Sequence, residues 1–253
     1  MQAPSHGPRD SGKYMIWTFV ARPSGGRLRL VDVRTYHQYC PVARATEILA
    51  MRWTPIIVRN LLLGCETFGE LMDGAPGISR TLLSSRLELL EQYGIVERVP
   101  TSHGSRYLLT DAGRDLDMVV EAMGVWGTRW LEVTPAHFDS HTVLWSLCRA
   151  TEAEDLPGRR LVIRFELSDG ERRRMWVVLC PPSSEVCIKP PGYDEDLVVK
   201  TSCEWLAKWH MGRISLGQAM HARLIEVEGP SELVGTLATL GLSRFADVKP
   251  VAR

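Results

Sequence analysis

Cys40 and Pro41 open the part of the chain whose residue types and spacing could do chemistry. A thiol directly ahead of a proline that starts a helix lies at the positive end of the helix dipole, where an anion such as a thiolate is favoured, and Arg44 follows one turn on. That placement favours a reactive thiol; the alternative is a buried, inert structural cysteine. A second group is Ser79, Arg80, Thr81, Ser84, Ser85 and Arg86. Small hydroxyl side chains let a helix approach a phosphodiester backbone, and a helix N-terminus offers its N–H groups to phosphate. Arg80 can present its guanidinium to guanine O6 and N7, a fit that discriminates bases by about 1–3 kcal/mol. Arg86 lies further along and either meets phosphate or fixes the helix within its domain. His103, within a turn-rich segment, and Arg106, just after it, suit phosphate or minor-groove contacts. A third group is apolar. Trp176, Trp205, Trp209, Met211 and Met220 offer large or adaptable surface for lining a ligand pocket, the plainer role being core filling.

These groups need elements to hold them. Pro41 suits the first position of a helix in which Val42, Ala45, Ile48 and Leu49 keep helical spacing. Thr54 is expected to cap a second helix, with Pro55 at its first position, an apolar run from Ile56 to Leu63, and Gly64 as its stop. Thr67 opens a short third helix, and Gly74-Ala75-Pro76-Gly77 forms a turn. Ser79 is the expected N-cap of a fourth helix, whose Leu82, Leu83, Leu87, Leu90 and Tyr93 share one apolar face and leave Arg80, Thr81, Ser84 and Ser85 off it. Two strands follow, Ile95 to Val99 and Arg106 to Leu109, with a polar tip between them. Thr110 then caps a longer helix carrying Leu116, Val119, Met123, Trp126 and Trp130. So small a domain has little core for two tryptophans, so this stripe is the expected dimer seam, the alternative being packing within the domain. Helices, a turn and then a hairpin make the order of a winged helix-turn-helix.

Beyond Pro135 the pattern changes. A helix over 143–150 leads to strand-like segments at 161–167, 174–180, 185–189, 197–201 and 224–228, with helices at 204–211, 216–222 and 231–240; Ser168-Asp169-Gly170 is a hairpin turn. The fold class is α+β. The expected domains are an extended or disordered N-terminal segment over 1–33, a winged helix-turn-helix DNA-binding and dimerisation domain over 34–133, and an α+β ligand or interaction domain over 141–253. The first 31 residues carry a net charge of +4, which suits either a tail or an arm that touches DNA.

Tyr39-Cys40-Pro41-Val42-Ala43-Arg44-Ala45, Arg52-Trp53-Thr54, the run Gly77 to Leu87, and Tyr107-Leu108-Leu109-Thr110-Asp111-Ala112-Gly113 together resemble the HxlR family of bacterial winged-helix regulators, in that family's order and spacing. The resemblance implies DNA binding over 34–133 and a redox or electrophile-sensing role for the matching Cys40. The wing is shorter than in many members, and residues 1–31 have no counterpart. More loosely, Asp196 to Thr201, Trp205-Leu206, Met211-Gly212, Ile214 to Leu216, Ala219-Met220 and Ile225 to Gly229 resemble the sterol carrier protein type 2 fold, which implies a sheet with helices enclosing an apolar tunnel.

Composition sets the remaining bounds. Formal charge is zero over 253 residues, and residues 32–133 hold 10 Lys/Arg against 13 Asp/Glu. Affinity for DNA must therefore come from clustering, with Arg80, Arg86, Arg98 and Arg106 the expected cluster. The six cysteines show no CxxC and no zinc-ligand spacing, and no secretory leader or run of about 18 apolar residues is seen, so a reducing cytoplasmic compartment and no membrane partner are expected. No HExxH, GxSxG, Walker A or dinucleotide fingerprint occurs, so neither an enzyme nor a cofactor is expected. The expectation is a dimeric transcription regulator of double-stranded DNA, gated by an apolar small molecule in the C-terminal domain or by Cys40. The alternative is a lipid-binding or protein-interaction protein whose winged helix serves only for dimerisation.

Overall fold

Prolines, hydroxyl caps and glycines place the first boundaries in this computed structural model, which describes residues 35–102, 104–151, 153–156, 160–169, 173–181 and 183–251. The expectations for 1–33, for His103 and for the turn residue Gly170 fall outside them. α1 (Pro41–Leu49) starts at its proline with Cys40 at the cap position. α2 (Thr54–Leu62) departs from expectation: Trp53 occupies the cap in a left-handed conformation (φ 77°), and Thr54 is the first helical residue. The reason is local. The Thr54 N–H already donates to the Met51 carbonyl (3.0 Å), so the turn closes one residue early and the buried hydroxyl makes no cap bond. α3 (Phe68–Asp73) begins with a reciprocal capping box between Thr67 and Glu70. In α4 (Arg80–Gln92) the Ser79 hydroxyl accepts from the Leu82 N–H (3.2 Å). Tyr93, expected on the buried face, is the C-cap residue and 38% exposed, because the chain leaves helical register there before Gly94 turns it at φ 66°; Leu89 is buried instead.

β1 (Val96–Thr101) and β2 (Gly104–Leu109) form the antiparallel wing, Val96 opposite Leu109. A bridge from Thr67 to Arg106, with the Tyr107 N–H donating to the Glu66 carbonyl (2.7 Å), adds a third short edge. The single long helix expected after Thr110 is two, α5 (Asp111–Arg114) and α6 (Asp117–Trp130). Gly113 presses α5 onto the Ile95 carbonyl, where an added Cβ would come within 2.2 Å, and the axis restarts after Leu116.

The C-terminal half opens with α7 (Ser140–Ala150), capped by the Asp139 carboxylate accepting from the His141 N–H (3.1 Å). β3 (Leu161–Leu167), β4 (Arg174–Leu179), β5 (Glu185–Cys187), β6 (Leu197–Thr201) and β7 (Glu226–Glu228) make one sheet in the order β5-β4-β3-β6-β7, with β3 and β6 parallel and the other pairs antiparallel. α8 (Cys203–His210), α9 (Leu216–His221) and α10 (Ser231–Leu240) pack with α7 over one face.

Two apolar clusters form. Ile57, Val58, Leu61, Leu71, Leu83, Leu87 and Leu90 make the first; Ile163, Phe165, Met175, Val177, Val199, Leu206 and Trp209 belong to the second. α7 serves both, since Leu144, Leu147 and Cys148 enter the second cluster while Trp145 enters the first. Gly74 makes room for that indole: a Cβ there would lie 2.4 Å from Trp145 Cζ2. Among the described residues, no helix is long and apolar enough to cross a membrane.

Candidate nucleic-acid interface

α4 is held from behind by Leu83, Leu87 and Leu90, which leaves its outer N-terminal turns to solvent. Ser79, Arg80, Thr81 and Ser84 are exposed, and Ser85 and Arg86 half-buried. Arg80 lies over the Phe68 ring, its guanidinium carbon 5.0 Å from the centroid, which steers the long side chain without using its hydrogen-bond donors. The wing completes a shallow cleft, where Arg80, Thr81 and Ser84 face Arg98, Gly104 and Ser105. Arg98 Nε donates to Ser105 Oγ (2.9 Å), fixing its stem against the opposite strand.

The other two arginines of the expected cluster each have a partner within the protein, Arg106 remaining exposed and Arg86 half-buried. Arg86 Nε donates to the Arg52 carbonyl (3.1 Å), tying α4 to the α1–α2 turn, and burial lowers its pKa from the ordinary arginine value. Arg106 forms an ion pair with Glu66, the residue whose carbonyl accepts from Tyr107. The sequence places four arginines near this surface; the structure adds that Arg86 and Arg106 have intramolecular partners. Ser105 and Phe68, which set Arg98 and Arg80, carry no sequence signal beyond their neighbourhood.

Along α6, Val119, Met123, Trp126 and Trp130 fall on one face and are exposed, Trp126 by 57%. Leu116 leaves the stripe; it precedes the helix and packs against the first apolar cluster. Cys40 is exposed, as are Tyr39 and Val42 beside it. Glu47, buried one turn further on, accepts from the Tyr36 N–H (2.8 Å) and from Arg44 Nη1 (2.7 Å), and the first of these bonds leads in lowering its pKa below the usual carboxylate value.

The five residues expected to line a C-terminal pocket are dispersed. Trp209 is 1% exposed within the core, against Gly241, and Met220 packs at the edge of that core. Trp205 carries Lys208 Nζ 4.3 Å over its ring. Trp176 is buried on the other side of β4, its indole N–H donating to Glu195 (2.7 Å). Met211 joins Trp130 and Phe138 in a groove beside the end of α6. The alternation of β4 explains the split: Met175 and Val177 point into the helix-covered core, so Trp176 between them points away.

Comparison with known proteins bears on the first half of the chain. A family model described as HxlR-like helix-turn-helix matches residues 48–135. YvaP of Bacillus subtilis, named an uncharacterized HTH-type transcriptional regulator, is 36% identical over 99 residues, covering 38% of this chain and 92% of its own. Rv3095 of Mycobacterium tuberculosis, named likewise, is 39% identical over 107 residues, covering 40% of this chain and 67% of its own. The reduced form of the transcriptional regulator YodB from B. subtilis is a solved structure with 35% identity, a TM-score of 0.32, and coverage of 36% of this chain and 92% of that one. With its capped α4, its wing, and a match that covers 92% of YvaP at 36% identity, this chain belongs to the HxlR-like helix-turn-helix family of transcriptional regulators.

Proposed function

We propose that the protein binds duplex DNA as a dimer, reading bases with the N-terminal turns of α4 and anchoring phosphates with the wing. The carrying observation is the cleft in which Arg80, Thr81 and Ser84 meet Arg98 and Ser105 while the leucine face of α4 holds it from behind. A net-acidic winged-helix segment can bind DNA only through such local clustering, because phosphate neutralisation drives affinity. Two α4 helices related by a twofold axis would read half-sites about 34–36 Å apart. The exposed stripe Val119, Met123, Trp126 and Trp130 supports α6 as the twofold seam. Cys40, the one exposed cysteine of six, supports a thiol input beside α1.

For residues 141–253 we read a sterol-carrier-like domain, supported by the mixed sheet with helices over one face. The test is fluorescence anisotropy with the protein's own upstream DNA against a scrambled duplex at fixed salt. Selective binding is expected. Arg80→Ala should cost about 1–3 kcal/mol of discrimination, whereas Arg98→Ala should weaken both duplexes alike and flatten the salt slope by about 0.9. Equal, weak binding to both duplexes, unchanged by either substitution, would remove this reading in favour of the lipid-binding alternative.

A further inference from the structure

A cavity of about 430 Å3 lies where α2 and α6 meet α7 and the segment 243–245. Its lining is mainly apolar, with Ile56, Val120, Val143, Trp145 and Phe245 among the walls. Phe245 reaches it by packing on Gly124 of α6, where a Cβ would lie 2.1 Å from its ring.

Arg59 is out of character with that lining. Its Nε and Nη2 donate to Asn60 Oδ1 (3.0 and 2.7 Å), and Nη2 donates again to the Gly74 carbonyl (2.8 Å). Those bonds occupy the Nε–H and the Nη2 hydrogens; the two hydrogens on Nη1 have no partner among the described residues. No carboxylate among them forms an ion pair with this guanidinium, in contrast to Arg149 on Glu70 (3.2 Å) and Arg244 on Asp117 (3.5 Å) nearby. Burial leads in pulling its pKa below the ordinary arginine value. Trp145, whose buried indole N–H is also unpaired, stacks near it, the guanidinium carbon 5.5 Å from the ring centroid. A half-buried cation without a counter-charge is stabilised when something anionic arrives beside it.

We propose that this cavity binds an apolar monocarboxylate, its carboxylate on the Nη1 edge of Arg59 and its hydrocarbon or aryl body against Ile56, Val143 and Phe245. A volume near 400 Å3 with few convergent polar groups is the usual form of a small-molecule site. The ligand would touch α2, which shares the first apolar cluster with α4, and α6, the candidate seam, together with α7 and the tail, so it is placed to bias the arrangement of all four. The binding site stands on the cavity and on Arg59; only its regulatory consequence rests on the DNA-binding reading.

The test is calorimetric titration of the full chain, without DNA, using decanoate, 2-naphthoate and the neutral 2-naphthylmethanol. One molecule of a carboxylate per chain is expected, with 2-naphthoate at least tenfold tighter than its alcohol. Arg59→Met should remove that preference, Arg59→Lys should restore part of it, and Val143→Trp should abolish binding by filling the space. Neither acid binding, or acid and alcohol binding equally, overturns the proposal; so does 2-naphthoate affinity unchanged in Val143→Trp. If Arg59→Met does not fold, the acid–alcohol comparison on the unaltered protein still decides. Because no DNA is present, a negative result here is separate from a failure of the operator assay.

Discussion

Cys40 stands in solvent at the cap of α1, whereas burial pushes the Cys65 thiol up to about 11 and the Cys148 thiol up to about 12. The thiolate is the nucleophile, so those two are unreactive at neutral pH for two reasons, access and charge state. Brief treatment with N-ethylmaleimide at neutral pH, followed by peptide mass spectrometry, should label Cys40 first and leave Cys65 and Cys148 untouched until denaturant is added. Labelling of Cys148 at the rate of Cys40 would show that the second core opens freely. His210 makes a second residue-level case. It is buried with Nδ1 2.7 Å from the Gly241 carbonyl, and desolvation holds its pKa below the ordinary 6.5. A base whose folded pKa is depressed binds more protons when unfolded, so its contribution is complete above 6.5 and is lost as pH falls below it. Urea midpoints measured from about pH 8 down to pH 5 should decline on the acid side for the unaltered protein, and much less for His210→Phe. Glu47 acts in a separate window, below the usual carboxylate value of 4.5, because its folded form is held charged by the Tyr36 N–H.

At the scale of elements, α7 carries more than its length suggests. Its Leu144 and Leu147 belong to the sheet core, and its Trp145 completes the winged-helix core against Asn60 and Gly74. Removing a buried tryptophan side chain costs about 3–5 kcal/mol. Trp145→Ala should therefore lower stability by that order in chemical denaturation followed by circular dichroism. Gly74→Ala should destabilise the unaltered protein, since its methyl would collide with the indole and with Asn60, and cost less in the Trp145→Ala background, where only the Asn60 contact remains. Additive losses in that double-mutant cycle would mean that Gly74 is required beside Asn60 and not for the indole.

The whole molecule is shaped by what covers α6. One flank is occupied by the chain's own tail: Arg244 pairs with Asp117 and Glu121, Phe245 sits on Gly124, and the Val251 N–H donates to the Arg129 carbonyl (3.0 Å). The opposite face keeps Val119, Met123, Trp126 and Trp130 in solvent, and Tyr39 and Val42 near α1 are exposed as well. Stable interfaces bury about 1,200–2,000 Å2 in total, and large aromatics concentrate their binding energy. Trp126→Glu should convert a dimer to a monomer in sedimentation velocity and weaken operator binding together with it. A monomeric mass for the unaltered protein at micromolar concentration would rule out α6 as a seam.

The parts of this protein that the sequence determined alone are those whose causes act within a few residues. Pro41 at the start of α1, the Thr67 and Ser79 caps, Gly94 after α4 and the alternating strands of the sheet are such cases, because a cap, a φ value or a period is settled by near neighbours. Thr54 and Leu116 show the limit even there, since a turn closed on the Met51 carbonyl and a tight glycine contact shifted a cap and split a helix. Which arginines remain available was decided by tertiary structure: Arg106 is neutralised by Glu66, 40 residues away, Arg86 is tied 34 residues back, and Arg59 is left without a counter-charge. The same holds for the large apolar residues. Trp145 joins the core of the preceding lobe, Trp176 and Trp209 go to opposite sides of a strand, and the cavity forms where lobes meet, because packing pairs surfaces that no local pattern links.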